Sequence, residues 1–121
     1  MITGKVGREA IRATMDFVGL DPDERKSVRT YSVGMRQRLG LAQAIMEDPA
    51  LLILDEPTAG LDFDAQLEIY EYLIQLRRQG KTILITSHSL NEVKLLCDKA
   101  FQIRDKRLEV MKQIDSTKSY R

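Results

Sequence analysis

With a single cysteine, Cys97, the 121-residue chain can close no internal disulfide, and with a single histidine, His88, it can assemble no zinc site of the cysteine–histidine kind. Cys97 is expected to serve as a small buried residue. No apolar run approaches the roughly 20 residues of a membrane-spanning helix, and residues 1–10 lack the apolar core of a signal peptide. The chain is therefore expected in the cytosol or on the cytosolic face of a membrane. Charge of one sign is lacking too: 19 basic side chains face 18 acidic ones, a formal net charge of +1, which argues against a sequence-wide pull toward nucleic acid or anionic lipid. What remains is an ordinary globular composition, 43% hydrophobic and 31% charged, of a length that suits one domain.

The chain is organised around Leu51-Leu52-Ile53-Leu54-Asp55-Glu56, four large apolar residues that run into two adjacent carboxylates. An apolar run without polar alternation predicts a strand covered on both faces, as in a parallel sheet flanked by helices, and in such sheets ligands sit at the carboxyl ends of the strands. One carboxylate at that end suits a magnesium ion carried by nucleotide phosphates, and a second can orient or deprotonate water. A buried strand followed by an acidic helix start accounts for the same six residues equally well.

On either side of this strand the pattern alternates with helices. Ile11, Met15 and Val18 recur at helical spacing and Gly19 follows, which predicts a helix over residues 8–18 and then a charged, solvated loop containing Pro22. Ser32 precedes Met35, Leu39, Ala42 and Met46 as a cap precedes a helix, and that helix must end before Asp48-Pro49. A serine hydroxyl, the permissive Gly34 and free amides at a helix start make an anion site, although an ordinary cap looks the same. After the loop Pro57-Thr58-Ala59-Gly60-Leu61, Asp62 is placed to cap a long helix reaching about Gln79, with Gly80 closing it. Residues 82–86 (Thr-Ile-Leu-Ile-Thr) form a second strand, so a βαβ unit with parallel strands is expected, and His88 falls just beyond that strand. Ser89 and Glu92 make a capping box for a helix through Leu90, Val93 and Cys97. Residues 100–104 and 108–111 read as two short strands around Asp105-Lys106, and residues 112–121 are polar and expected to fray.

In this order the signals resemble one family, the ATP-binding-cassette (ABC) ATPases, over residues 7–111. Tyr31-Ser32-Val33-Gly34-Met35 resembles the family's signature loop in the variant found among bacterial drug and antibiotic exporters, and residues 51–55 resemble the Walker B strand. Glu56 is similar to the catalytic glutamate, Ala59-Gly60-Leu61-Asp62 to the D-loop, and His88 to the switch histidine. The loop departs from the commonest signature at Tyr31, Val33 and Met35; the usual glutamine can hydrogen-bond a ribose or phosphate where methionine cannot. The resemblance implies a partial P-loop NTPase (RecA-like) parallel sheet with flanking helices. Part of the ABC helical subdomain fills residues 1–48, the C-terminal part of the ATPase core residues 49–111, and a polar tail residues 112–121.

It also implies roles. Asp55 would hold Mg2+ through water, Glu56 would polarise the attacking water, and His88 would contact the γ-phosphate. Ser32, Gly34 and Met35 would face ATP bound by a second cassette, and Asp62 would signal across the dimer. The partners implied are that second cassette and a transmembrane permease on the cytosolic face of the membrane, with no nucleic acid.

The family's phosphate loop, G-x-x-x-x-G-K-S/T, does not occur in the sequence: Gly4-Lys5 has no strand before it and valine after it. The chain therefore resembles the C-terminal half of a cassette and is expected to be inactive alone. Two other functions fit the same features, a non-catalytic remnant that acts as a binding module and a soluble cassette protein of translation or DNA repair.

Overall fold

A computed structural model describes residues 7–111. The chain forms two compact units that meet in sequence between Thr86 and Ser87. In the first, α1 (Arg8–Phe17), α2 (Val33–Ile45), β1 (Leu51–Asp55), α3 (Phe63–Arg78) and β2 (Thr82–Thr86) follow one another, with a single 3-10 turn at Val28–Thr30. In the second, α4 (Leu90–Leu96) precedes β3 (Phe101–Arg104) and β4 (Arg107–Val110).

Helix α1 starts after Gly7 without a side-chain cap, whereas α2, α3 and α4 each start on a side chain that the backbone needs. Ser32 Oγ accepts the Met35 N–H at 3.1 Å, Asp62 Oδ1 accepts the Ala65 N–H at 2.9 Å, and Ser89 Oγ accepts the Glu92 N–H at 3.2 Å. Each bond satisfies one of the amides a helix start leaves unpaired, worth about 1 kcal/mol apiece. Helix α1 stops because Gly19 turns left-handed at φ +78°. A side chain there would also meet the Arg38 guanidinium at 2.6 Å and the Tyr72 hydroxyl at 2.8 Å, so only glycine lets α2 and α3 approach. Arg38 fastens this junction, donating to Glu68 Oε2 at 2.6 Å and to the Val18 carbonyl at 3.5 Å. The loop after α1 is held from outside: Arg12 grips Asp23 through two parallel bonds of 2.8 and 3.0 Å, which holds that carboxyl below its usual range.

Strands β1 and β2 pair in parallel, Leu51 with Thr82 through Asp55 with Thr86, and α3 is the crossover between them. Both strands therefore end at the same edge. The register puts Leu52, Leu54, Ile83 and Ile85 on one face and Leu51, Ile53, Asp55, Thr82, Leu84 and Thr86 on the other. Helix α2 lies against β1 and α3 against β2, and Leu52 joins Leu41, Ala42, Ile69, Leu73 and Leu76 in the core.

The other face is open, with Leu51, Ile53 and Leu84 between 52% and 67% exposed. The expectation of a strand buried on both faces is thus corrected: among the described residues helices cover only one side. Two further corrections concern helices. In α2 Ala42 of the expected stripe is buried, but its buried neighbour is Leu41 in place of Met35, Leu39 and Met46, so the inner face is rotated; the helix ends at Ile45, before Asp48-Pro49 as expected. In α4 the buried side chain is Glu92, Leu90 is exposed, and Cys97 is a half-buried C-cap in place of the expected buried residue.

The hairpin β3–β4 pairs antiparallel, Phe101 with Val110 and Arg104 with Arg107. Asp105 and Lys106 take φ of +50° and +64°. Two positive values define the type I′ turn that matches strand twist, so a two-residue loop forms here without glycine. Residues 112–121 lie outside the described residues, and so does the fraying expected of them.

The asymmetry of β1 can be tested directly in this chain. Leu52→Ala removes a side chain only 1% exposed and is expected to lower unfolding free energy by about 2–5 kcal/mol. Ile53→Ala, at 67% exposure, is expected to change it by less than about 0.5 kcal/mol and to reduce self-association measured by analytical ultracentrifugation. Equal losses in urea titrations would show both faces covered.

Candidate functional site

The carboxyl edge of the β1–β2 sheet carries a connected set of polar groups. Because Asp55 and Thr86 are register partners on the same face, the Thr86 hydroxyl reaches across and donates to Asp55 Oδ1. The same hydroxyl oxygen accepts the N–H of Glu56 at 3.0 Å, and that N–H also reaches the Thr86 carbonyl at 3.1 Å. One threonine therefore holds both of the acidic residues singled out in the sequence. Asp55 Oδ2 makes no hydrogen bond among the described residues, which leaves a hard anionic oxygen at the strand end.

Glu56 is held in a left-handed conformation, φ +50°. For a residue with a Cβ this costs roughly 1–2 kcal/mol, and such strain persists only where its surroundings enforce it. Here Thr86 fixes its amide, Ala59 donates to its carbonyl at 3.1 Å, and Pro57 disfavours the right-handed helical alternative. The chain thus breaks sharply at the end of β1. A second turn follows, Leu61 N–H to Thr58 carbonyl at 3.2 Å, with Gly60 at φ +77° in the place such a turn reserves for glycine.

That turn packs on the start of α2. A side chain on Gly60 would come within 3.2 Å of Val33, and the Gln37 amide donates to the Ala59 carbonyl at 3.1 Å. The structure thereby joins the segment of Asp62 to that of Ser32, Gly34 and Met35. At the start of α2 the Met35 N–H is taken by Ser32 Oγ and the Arg36 N–H by the Ser32 carbonyl. The Val33 and Gly34 N–H groups have no partner among the described residues. A Cβ on Gly34 would make only ordinary 3.8 Å contacts, so the chain's own packing does not demand glycine there. Open amides, a serine hydroxyl with its proton still to give and the positive end of a 13-residue helix suit an anion arriving from outside.

His88 stands two residues past β2, in the second unit, where it is exposed. Thr86 is the residue that reading the sequence missed. Its signal was a hydroxyl at the last position of β2, in register with Asp55, and register becomes visible only once the pairing is known. Gly80-Lys81-Thr82 is not a phosphate loop: Gln75 stands where its first glycine belongs, the triplet precedes a strand, and Lys81 is paired with Asp48.

A parallel βαβ unit with paired carboxylates at its carboxyl edge and a helix start open to anions has the fold of the P-loop NTPases, without their phosphate loop among residues 1–121. The comparisons with known proteins narrow this. Residues 5–59 match the family model for the ABC transporter. The chain is 47% identical to the uncharacterized ABC transporter ATP-binding protein YhcH of Bacillus subtilis, over 82% of this chain and 32% of that protein. It is 46% identical to the Nod factor export ATP-binding protein I of Rhizobium johnstonii, over 74% of this chain and 29% of that one. Among solved structures it is similar to cbiO1 from Clostridium perfringens, part of the ABC transporter complex cbiONQ, with a TM-score of 0.74 and 30% identity over 90% of this chain and 44% of that one. Over the matched residues the chain is similar to the ABC transporter ATP-binding proteins. It spans about a third of the length of the relatives it matches.

The left-handed Glu56 yields a prediction about stability alone. Glu56→Gly relieves the strain while Glu56→Ala keeps it, so the glycine variant is expected to be the more stable by up to about 1 kcal/mol, after allowing for glycine's larger unfolded-state entropy. Thermal unfolding of the two variants side by side checks this. The reverse order would mean that the strained turn does not form.

Proposed function

We propose that the chain is part of the ATP-binding and ATP-hydrolysing subunit of an ABC transporter of exporter type, one that couples hydrolysis to transport across a membrane. The observation that carries the reading is Glu56, a carboxylate on a strained, triply anchored turn directly after Asp55. Similarity to the ABC transporter family and the export named for one relative support it, as does the exporter-like loop at residues 31–35.

In this reading residues 1–48 belong to the helical subdomain, residues 49–111 to the ATPase core and residues 112–121 to a tail. Asp55 is the residue that would hold Mg2+, through water; its Oδ2 is a hard oxygen donor at the strand end and fits that ion. When bound, the ion supplies charge neutralisation to the phosphates. Glu56 accepts a proton from, or orients, the attacking water, and the fixed turn keeps its carboxylate from wandering. His88 donates to the γ-phosphate. Ser32 and the open Val33 and Gly34 amides, with Met35 beside them, meet the phosphates of ATP held by a second cassette, and Asp62, which caps α3 beside that surface, relays the dimer's state. The outward partner is a transmembrane permease, with the subunit peripheral on its cytosolic side; no helix among the described residues is itself long and apolar enough to cross a membrane. Phosphoryl transfer is catalysed by positioning and charge, which is why these groups sit on element ends that the core holds rigid.

Without a G-x-x-x-x-G-K-S/T loop, residues 1–121 by themselves are expected to bind ATP poorly and release no phosphate. Joined to the phosphate-loop half that the family carries, the protein should hydrolyse ATP. Glu56→Gln should then lower turnover by about 10²–10⁴-fold while sparing ATP binding. His88→Ala should lower it by about 10²-fold. Ser32→Ala should weaken the nucleotide-bound dimer, with Ser32→Thr, which keeps the helix cap, as its control. Phosphate release at saturating ATP, with binding measured separately, decides: rapid hydrolysis by the 121-residue chain, or full turnover in Glu56→Gln, refutes the assignment.

A further inference from the structure

We infer that Thr86 is a positioning residue for the acidic pair, setting the Asp55 carboxylate and the Glu56 backbone at once through its single hydroxyl; this rests on the ATPase reading above. The bonding pattern has one consistent assignment of protons. The Glu56 N–H can only donate, so Thr86 Oγ1 accepts there, at 3.0 Å. The hydroxyl proton is then free for Asp55 Oδ1, and an ionised carboxylate can only accept. The hydroxyl thus occupies one carboxylate oxygen and leaves Oδ2 as the oxygen available to a cation.

Three features make Thr86 suited to this work. It is the register partner of Asp55 and lies on the same sheet face. As a β-branched residue in a strand it has a stiff χ1, so Oγ1 is held in place without help from neighbours. Its second bond anchors the residue whose φ of +50° needs enforcement, so the orientation of the cation-holding oxygen and the geometry of the turn are coupled through one atom. Partners of this kind, one shell out from the ion, typically change metal affinity or activity by about 10–100-fold when removed.

The test uses the chain joined to the phosphate-loop half that the family carries. Thr86→Val keeps the shape and the β-branch and loses the hydroxyl; Thr86→Ser keeps the hydroxyl. Thr86→Val is expected to lower kcat by about 10–100-fold and to raise the Mg2+ concentration for half-maximal turnover, while KM for ATP moves little. Thr86→Ser is expected to recover most of both. A readout independent of turnover is ATP binding in the Glu56→Gln background: adding Thr86→Val should weaken binding in MgCl2 by about tenfold and leave binding in EDTA unchanged. Parental kcat and Mg2+ dependence in Thr86→Val overturn the inference while leaving the ATPase reading intact, provided Glu56→Gln is inactive. A loss that Thr86→Ser does not restore, accompanied by a lower melting temperature, also overturns it, since that is the mark of a packing role. Persistent turnover in Glu56→Gln would instead remove the ATPase reading beneath it.

Discussion

The parallel register of β1 and β2 is the constraint on which the rest of the first unit depends. Side chains alternate faces along a strand, so a slip of one residue would set Leu54 opposite Thr86 and turn the inner leucines outward. Register is in turn held by packing: Leu52 is among the most fully buried large side chains, under α2 and α3, and it cannot leave the core without a loss of several kcal/mol. At the N-terminal edge the Lys81–Asp48 ion pair and the Thr82 N–H bond to the Ala50 carbonyl, at 2.9 Å, hold the same alignment. At the carboxyl edge the alignment delivers Thr86 to Asp55 and Glu56. A core interaction at Leu52 thus sets the geometry of a polar site three to four residues further along the chain.

Strain and open polarity occur together at that edge. The first unit places a left-handed glutamate just past β1, a carboxylate oxygen at the end of β1 and two amides at the start of α2 that have no hydrogen-bond partner among the described residues. A sequence selected only for stability would relax the first and cap the others. Tolerance of these features is what a site for phosphate chemistry requires, because groups fixed in advance need not reorganise as charge develops.

The open face of the sheet sets Leu51, Ile53 and Leu84 beside Asp55 and Thr86. Parallel sheets are ordinarily covered on both sides, since crossover helices on each face supply the cover. Here the described residues contain one crossover, and it packs on one face. Apolar residues along the middle of that face and polar ones at its carboxyl edge suit a surface that is dry toward its centre and binds a polar ligand at its rim.

Local physics, and therefore the sequence alone, determined the elements and most of their ends. The four-residue apolar run made β1, the caps Ser32, Asp62 and Ser89 began helices where serine and aspartate satisfy early amides, and Gly19 and Gly80 ended them by going left-handed. Motif order singled out Asp55, Glu56, Ser32, Gly34, Met35, Asp62 and His88 as candidates, and crossover length was enough to make the strands parallel. Burial was less legible. The rotation of the α2 face, the buried Glu92 and the open side of β1 depend on which neighbours are present to cover a residue, and a periodicity carries no information on that. Only tertiary structure decided the role of Thr86 and the left-handed turn at Glu56. Both are consequences of pairing residues 30 apart in sequence, where hydrogen-bond partners are chosen by register and not by spacing along the chain.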